Sequence, residues 1–541
     1  MYRSPLRVVA RLAVLAAAVA PLSVTAQRPG GFQPPRGVDS TRFVRTSAPT
    51  DPVIRAMWTE GMEHGRAMEL AQVLLDSIGP RLNNSDHFDN GQNWLVREYA
   101  KWGIPASREQ YGTWVKWVRG PTYMDLVSPR LRTLEATMLG WSPGTDGKWV
   151  EADVVLIPPK TTPEAFAQWR TSARGKFVLG SPLNPTCRSQ AQMREFGEPA
   201  TVARTDSTRQ ANAADYADRF LQGGNRYAWP AEAGLAGVLT TTWSGYPGID
   251  KIFGSPKQQA PTLDISCEDY SLLYRLAENN QSPKVRLFAQ SQNLGEQPVH
   301  NVIGRIDGST RANEYIVLSA HYDSWDGSSG ATDNGTGTIT MMEAMRILKK
   351  VYPNPKRTII VGHWGGEEQG LNGSASWVAD HPEIVSKVHA GFNQDNGTGR
   401  VVSISPGPFV AATDALARYM FELPAEMTGR IRLSQASNGP GRGGTDSSSF
   451  QCVKSPVFGA GALGWDYGGT TWHTNRDSYD KVIAEDLQNN ATLIAMLVYM
   501  ADQDPTLLPR EVNNPRNREG AEQPWPDDCS TGDRNTAASP R

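Results

Sequence analysis

An open, mostly parallel α/β sheet with helices on both faces, interrupted by an inserted β-rich domain, is the fold class that this sequence predicts. Three observations carry that prediction. At 541 residues the chain exceeds what one ordinary domain holds, so more than one folded unit is expected. From Val299 onward, short apolar runs alternate with stretches of helical periodicity, the pattern of a parallel sheet covered on both sides. Between about 153 and 287 the pattern is different, with short β-rich runs separated by loops.

The elements follow in order. Arg3 and Arg7 precede an apolar run from Val8 to Val24, and Val24-Thr25-Ala26 forms a small-x-small site before Gln27. These are the three parts of a cleavable secretory signal over 1–26, cut after Ala26. Arg11 and Pro21 keep the uninterrupted run below the ~20 residues that a membrane span needs. A secreted or periplasmic location is therefore expected. Residues 27–48, rich in Pro, Gly and Arg, read as a flexible leader. Residues 49–145 form the first part of the main domain. Helical periodicity over about 51–78 places Met68, Ala71 and Leu75 on one face and stops at Gly79-Pro80, and a second amphipathic stretch covers 90–102.

The insert is expected over 146–292. Runs at 154–157 and 176–179 read as strands, 231–239 as a helix passing into a strand, and 263–265 as a strand before a helix at 268–278. No cluster of metal-binding or catalytic residue types falls within it. The main domain resumes over 293–504. Strands are expected at 302–306, 315–319, 358–362, 388–392 and 456–460, and helices at 337–349, 371–378 and 484–502. Met341, Met345 and Leu348 share one face of the first of these helices. The polar, Pro-containing 505–541 reads as a loosely ordered tail.

Composition narrows the function. Lys and Arg number 54 against 56 Asp and Glu, so no basic excess suggests nucleic acid or an anionic membrane surface. The four cysteines, Cys187, Cys267, Cys452 and Cys529, include no CxxC pair and so form no zinc site of their own. In an oxidising compartment Cys187–Cys267 and Cys452–Cys529 are the neighbour pairings, and all three connectivities stay open.

The chemistry gathers where an open α/β sheet places functional residues, just beyond the carboxyl ends of its strands. The strand at 315–319 runs into His321-Tyr322-Asp323, and Asp333-Asn334-Gly335 opens the next helix. The strand at 358–362 leads to Glu367-Glu368, that at 388–392 to Asp395, and a later Gly-rich loop carries His473. Each has a bland alternative. Asp333 could cap its helix, and the two glutamates could be exposed charges. Six such residues at successive strand ends are harder to assign to surface composition. Two histidines and three carboxylates without thiolates suit zinc at an open catalytic site. Asp333 is the candidate bridge between two ions, Glu368 a ligand, and Glu367 the base that takes a proton from water. Asp323, two residues after His321, is placed to hold that imidazole in its tautomer.

In order, His321-Tyr322-Asp323, Asp333-Asn334-Gly335, Glu367-Glu368-Gln369-Gly370, Asp395 and His473-Thr474-Asn475-Arg476-Asp477 resemble the motifs of peptidase family M28, the aminopeptidase and glutamate-carboxypeptidase group. The resemblance covers about 55–503 and is nearest to the carboxypeptidase Q branch in His321-Tyr322-Asp323-Ser324-Trp325-Asp326 and Trp117-Val118-Arg119-Gly120. It implies two zinc ions per chain, one held by His321 and Asp395, the other by Glu368 and His473, with Asp333 shared and Glu367 as general base. Arg174-Gly175-Lys176-Phe177-Val178-Leu179, the 231–239 segment and Pro261-Thr262-Leu263-Asp264-Ile265 make the insert resemble a protease-associated domain. The sequence departs from many relatives at Ser447, where they have His, and at Trp472, where several have Tyr. Those departures touch the substrate side, where Asp446 and Arg442 are candidate substrate contacts.

The function these readings favour is an exported two-zinc exopeptidase acting on dipeptides or short peptides, like carboxypeptidase Q. An aminopeptidase is the alternative. A silent binding protein on the same scaffold is disfavoured because every ligand position is filled, and a one-zinc acyl-transfer enzyme because both His321 and Asp395 are present. The expected partners are a peptide substrate and a second copy of the chain, with no nucleic acid and, after signal cleavage, no membrane.

Overall fold

A computed structural model describes residues 49–222, 233–255, 260–441 and 444–535. The signal segment and leader expected over 1–48 lie outside the described residues.

One continuous sheet runs through the molecule. From one edge its strands are Arg432–Leu433, Val401–Ser405, Val457–Ala462, Val388–Asn393, Arg311–His321, Arg357–Trp364 and Lys284–Ile306. It continues through Val150–Leu156, Phe177–Leu179, Gly237–Thr240, Thr262–Ile265 and Ala136–Met138. Val457–Ala462, Val388–Asn393, Arg311–His321 and Arg357–Trp364 are mutually parallel neighbours, so their carboxyl ends emerge along one edge. All eight residues of Arg357–Trp364 and all six of Val388–Asn393 are buried, as strands covered on both faces must be.

Helices Thr336–Val351 and Ala484–Gln503 pack against each other on one face of this sheet. Buried residues occur all round Ala484–Gln503, Leu487, Leu493, Ile494 and Val498 among them, so it lies within the core and not on it. On the opposite face, Trp364 meets Trp377 and Phe450 with ring centres 5.5 and 5.9 Å apart. Each such fully buried aromatic contributes roughly 1.5–3 kcal/mol of transfer free energy, and these three fix the strand that leads to Glu367.

Two 23-residue strands, Ala106–Ser128 and Lys284–Ile306, pair antiparallel along nearly their whole length and carry the chain between the two layers. The expected boundary at 292 therefore falls inside a strand. Ala136–Met138 pairs with Thr262–Ile265, so the smaller layer also draws on residues before 146. Within that layer Phe177–Leu179, Gly237–Thr240 and Thr262–Ile265 are parallel. The helix Pro199–Leu221, which sequence periodicity does not announce, covers 23 residues of the stretch expected to be strands and loops. Both disulfides join the neighbour pairs, Cys187–Cys267 and Cys452–Cys529.

The tail corrects an expectation. Over 505–535 it is strapped to the main domain instead of lying loose. Arg510 donates to the carbonyls of Val385, Val388 and Lys454, Trp525 Nε1 donates to Cys452 O at 2.7 Å, and Arg534 pairs with Asp380 at 2.9 Å. Polar composition misleads here because backbone and guanidinium hydrogen bonds and one disulfide fasten the segment, and among its described residues only Leu508 and Val512 reach the main core.

Candidate metal centre

The parallel strand ends bring the predicted residues together. His321 is the last residue of Arg311–His321, Glu367 and Glu368 lie in the loop after Arg357–Trp364, and Asp395 follows Val388–Asn393. Beneath them, hydrogen bonds run across the strand ends. Trp364 Nε1 donates to Ser319 Oγ (2.8 Å), Ser319 Oγ to Asn393 Oδ1 (2.7 Å), and Asn393 Nδ2 to Thr445 Oγ1 (2.8 Å). This relay sets the relative height of three strands, and so of the loops that leave them.

His321, Asp333 and Asp395 form one group that could hold a cation, and Asp333, Glu368 and His473 form a second, with Asp333 common to both. His321 Nε2 lies 2.9 Å from Asp395 Oδ1 and 3.3 Å from Asp333 Oδ1. His473 Nε2 lies 2.9 Å from Glu368 Oε2 and 3.3 Å from Asp333 Oδ2. The two halves of the Asp333 carboxylate thus face different histidines. The donor set tests whether cations fit. Asp333 Oδ2 and Glu368 Oε1 are buried and take part in no hydrogen bond. Buried carboxylate oxygens without a hydrogen bond cost free energy that a divalent ion offsets, and imidazole with carboxylate ligands suits zinc. The residues fit.

Electrostatics agree. Burial alone acts to lower His321, but the carboxylates of Asp395, Glu367, Asp323 and Asp333 outweigh it and raise its pKa well above the usual range. Burial likewise opposes protonation of His473, yet Glu368 and Asp333 raise it to about 9. Burial, then the Asp333 charge, lifts Glu368 to about 7. Glu367 is raised well above the carboxylate range, first by burial and then by Asp395, Asp446 and Glu368. These shifts mark a crowd of buried negative charge around the two histidines.

Asp323 stands beside His321 and also reaches the glutamate loop. His321 Nδ1 is 3.0 Å from the Asp323 backbone carbonyl, while the Asp323 carboxylate stands 3.7 Å away. That carboxylate instead accepts the backbone N–H groups of Glu367 (3.1 Å) and Glu368 (3.3 Å). The main-chain carbonyl holds the imidazole at Nδ1 with the carboxylate close enough to add its charge, while the hydrogen bonds of that carboxylate go to the glutamate loop. Asp446, wholly buried at the start of helix Ser447–Cys452, is raised to about 7, chiefly by burial. Arg442 lies outside the described residues.

Sequence reading gave no role to three residues that build the site. Asp477, quoted only as part of a motif, accepts the backbone N–H groups of Thr332 (2.8 Å) and Asp333 (3.0 Å). Buried Arg81, more than two hundred residues away in sequence, donates to the carbonyls of Tyr322, Ser329 and Gly330 and so shapes the loop between His321 and Asp333. The hydroxyl of half-buried Tyr467 is held above its usual range by desolvation and by the charges of Asp333, Asp395 and Glu368, which places it near those carboxylates. Only Asp477 carried a signal, its place four residues after His473.

Residues 301–498 match Peptidase family M28. Carboxypeptidase Q of Mus musculus is 25% identical over 341 residues, which is 62% of this chain and 66% of that protein, just under two thirds of its length. Carboxypeptidase Q of Homo sapiens is 24% identical over 459 residues, covering 83% of this chain and 88% of that protein. The solved structure of a peptidase M28 precursor from Shewanella amazonensis SB2B superposes with a TM-score of 0.62 at 22% identity, over 84% of this chain and 97% of that one. This last likeness shows the fold.

Proposed function

Since residues 301–498 match peptidase family M28, we propose that the protein is an exported two-zinc exopeptidase that hydrolyses dipeptides or short peptides in the manner of carboxypeptidase Q. The observation that carries this reading is the pair of ligand groups sharing Asp333, with the Glu367 carboxyl beside them. His321 and Asp395 would hold one ion, Glu368 and His473 the other, and Asp333 both. Bound there, two zinc ions would supply Lewis-acid polarisation of the scissile carbonyl and a more acidic water at neutral pH.

The chain's own residues do the rest. Glu367 accepts a proton from the attacking water and later delivers it to the leaving amine, a task suited to a carboxyl raised by burial and by neighbouring acids. Asp323 holds the backbone of Glu367 and Glu368 so that ligand and base are presented together. Asp477 fixes the main chain at Asp333 in the same way. Two disulfides suit a protein that works outside a reducing compartment, and among the described residues no helix is long and apolar enough to cross a membrane.

An aminopeptidase is the second reading, and one observation favours it. The surplus of buried carboxylates around the histidines suits a free substrate ammonium better than a free carboxylate. Hydrolysis of a dipeptide panel that includes N-blocked and C-amidated members separates the two. Loss of cleavage on C-amidation supports the carboxypeptidase-like mode, and loss only on N-blocking supports the aminopeptidase. Loss on either change indicates a strict dipeptidase, and no cleavage of any member contradicts the proposed substrate class.

A further inference from the structure

The two ligand groups are not held in the same way. His321 ends a central strand and has its Nδ1 fixed by the Asp323 carbonyl at 3.0 Å. His473 sits in the loop after Val457–Ala462 with a φ of 54°, the left-handed region that L side chains adopt only at a cost, and its buried Nδ1 has no hydrogen-bond partner. Trp472 stacks on this imidazole with ring centres 4.0 Å apart and Trp325 lies 5.8 Å away, but the left-handed loop that carries His473 still needs something to hold it.

That something comes from the smaller layer. Its segment 248–253 lies against the His473 loop as a short antiparallel bridge between Lys251 and Thr474. The carbonyls on both sides of the left-handed turn are taken from there. Lys251 Nζ donates to Trp472 O at 2.6 Å, and Ile252 N donates to His473 O at 2.7 Å. Asp250 and Asn475 close the register, with Asp250 N donating to Asn475 Oδ1 and Asn475 N to Asp250 O, each at 3.1 Å. The Lys251 ammonium also stands 4.4 Å from the Trp472 ring centre, and the Phe253 ring meets the His473 imidazole edge-on at 5.0 Å. The segment is itself anchored to its own layer. Lys251 N donates to Asp264 Oδ1 at 3.0 Å, and Thr137 Oγ1 donates to Asp250 Oδ2 at 2.8 Å.

We propose that the 248–253 segment of the insert is a latch that positions His473, so that one of the two metal positions depends on the insert and the other does not. Lys251 is its central positioning residue. The His321–Asp333–Asp395 group draws its ligands from two strand ends and the turn before helix Thr336–Val351, all in the main domain, and stands without the latch. The Asp333–Glu368–His473 group is complete only when the insert is docked. This rests on the two-metal reading above and adds to it an order of dependence between the two positions, and a role for the insert beyond limiting access.

The test is a zinc titration of the full-length, metal-free protein against a chelating indicator, for wild type, Lys251→Met and Lys251→Arg. Methionine keeps the apolar stem and removes the donors, whereas arginine keeps a donor for the Trp472 carbonyl. Wild type is expected to take up two ions. Lys251→Met is expected to take up one with wild-type affinity and the second at least tenfold more weakly, and Lys251→Arg to recover part of that loss. Equal weakening of both ions, or wild-type affinities for both in Lys251→Met, overturns the latch. Should Lys251→Met not fold, Phe253→Leu, which removes the ring against His473, is read by the same titration and the same criteria. Fewer than two ions on wild type overturns instead the two-metal reading, and the latch with it.

Discussion

The Asp323 carboxylate lies 3.7 Å from His321 Nδ1 and accepts the backbone N–H of Glu367 at 3.1 Å. A carboxylate between two adjacent amides, 3.1 and 3.3 Å away, fixes the loop that carries both a ligand and the base. Asp323→Asn keeps one acceptor oxygen but turns an amide N–H toward a backbone N–H. Loss of such a supporting partner typically costs 10–100-fold in activity. The expected result is a fall of about that size in kcat with KM little changed and zinc retained. A variant with wild-type kcat would show that the Glu367–Glu368 loop keeps its shape without Asp323.

Acid should destabilise the fold through two buried histidines. Burial pushes His363 down to about 3, and burial followed by the Arg357 charge pushes His389 to about 4. Both folded values lie below the ordinary histidine range near 6.5, so between pH 6.5 and about 3 the unfolded chain binds more protons than the folded one. Their contribution is fully present above pH 6.5 and is lost as the pH falls. His363 also shares a 2.7 Å hydrogen bond with Tyr99, which fixes it in the core. Denaturant unfolding of the metal-free protein from pH 7 to pH 4 should show His363→Gln with a shallower loss of stability than wild type. The difference should approach about 1.4 kcal/mol per pH unit, the value for one proton. Parallel pH profiles for the two proteins would contradict a neutral buried His363.

The strap over 505–535 should matter to stability. Cys452–Cys529 spans 77 residues, and closing a loop of that size restricts the unfolded chain by up to about 4 kcal/mol. The double variant Cys452→Ser/Cys529→Ser should unfold at lower denaturant, and trypsin should reach Arg510, Arg516 and Arg518 sooner. Unchanged unfolding and unchanged proteolysis would mean that Arg510 and Arg534 hold the strap alone.

Much of the main domain was legible because its elements obey simple periods. Strands at 315–319, 358–362 and 388–392 were read within a few residues of Arg311–His321, Arg357–Trp364 and Val388–Asn393, and helix 484–502 nearly matches Ala484–Gln503. The residues brought together, His321, Asp333, Glu367, Glu368, Asp395 and His473, were readable because each follows such an element. Ala106–Ser128 was not legible. Its buried residues Tyr111, Trp114 and Trp117 fall every third position, since register shifts at 110–112 and 115–117 break the period of two that marks a strand. Pro199–Leu221 buries no residue fully, so no apolar stripe announces it. Arg81, Asp477 and Lys251 act on carbonyls and amides of distant loops, and no local pattern encodes that.

The most direct test of the central claim is zinc content per chain measured beside the rate of dipeptide hydrolysis, for wild type and Glu367→Gln. The account predicts two zinc ions in both proteins and a fall in kcat of roughly 10³-fold or more in the variant, the effect of removing a general base. Zinc retained in Glu367→Gln with an undiminished rate would remove Glu367 from the chemistry. A wild type that hydrolyses dipeptides while binding no zinc would contradict the account at its root.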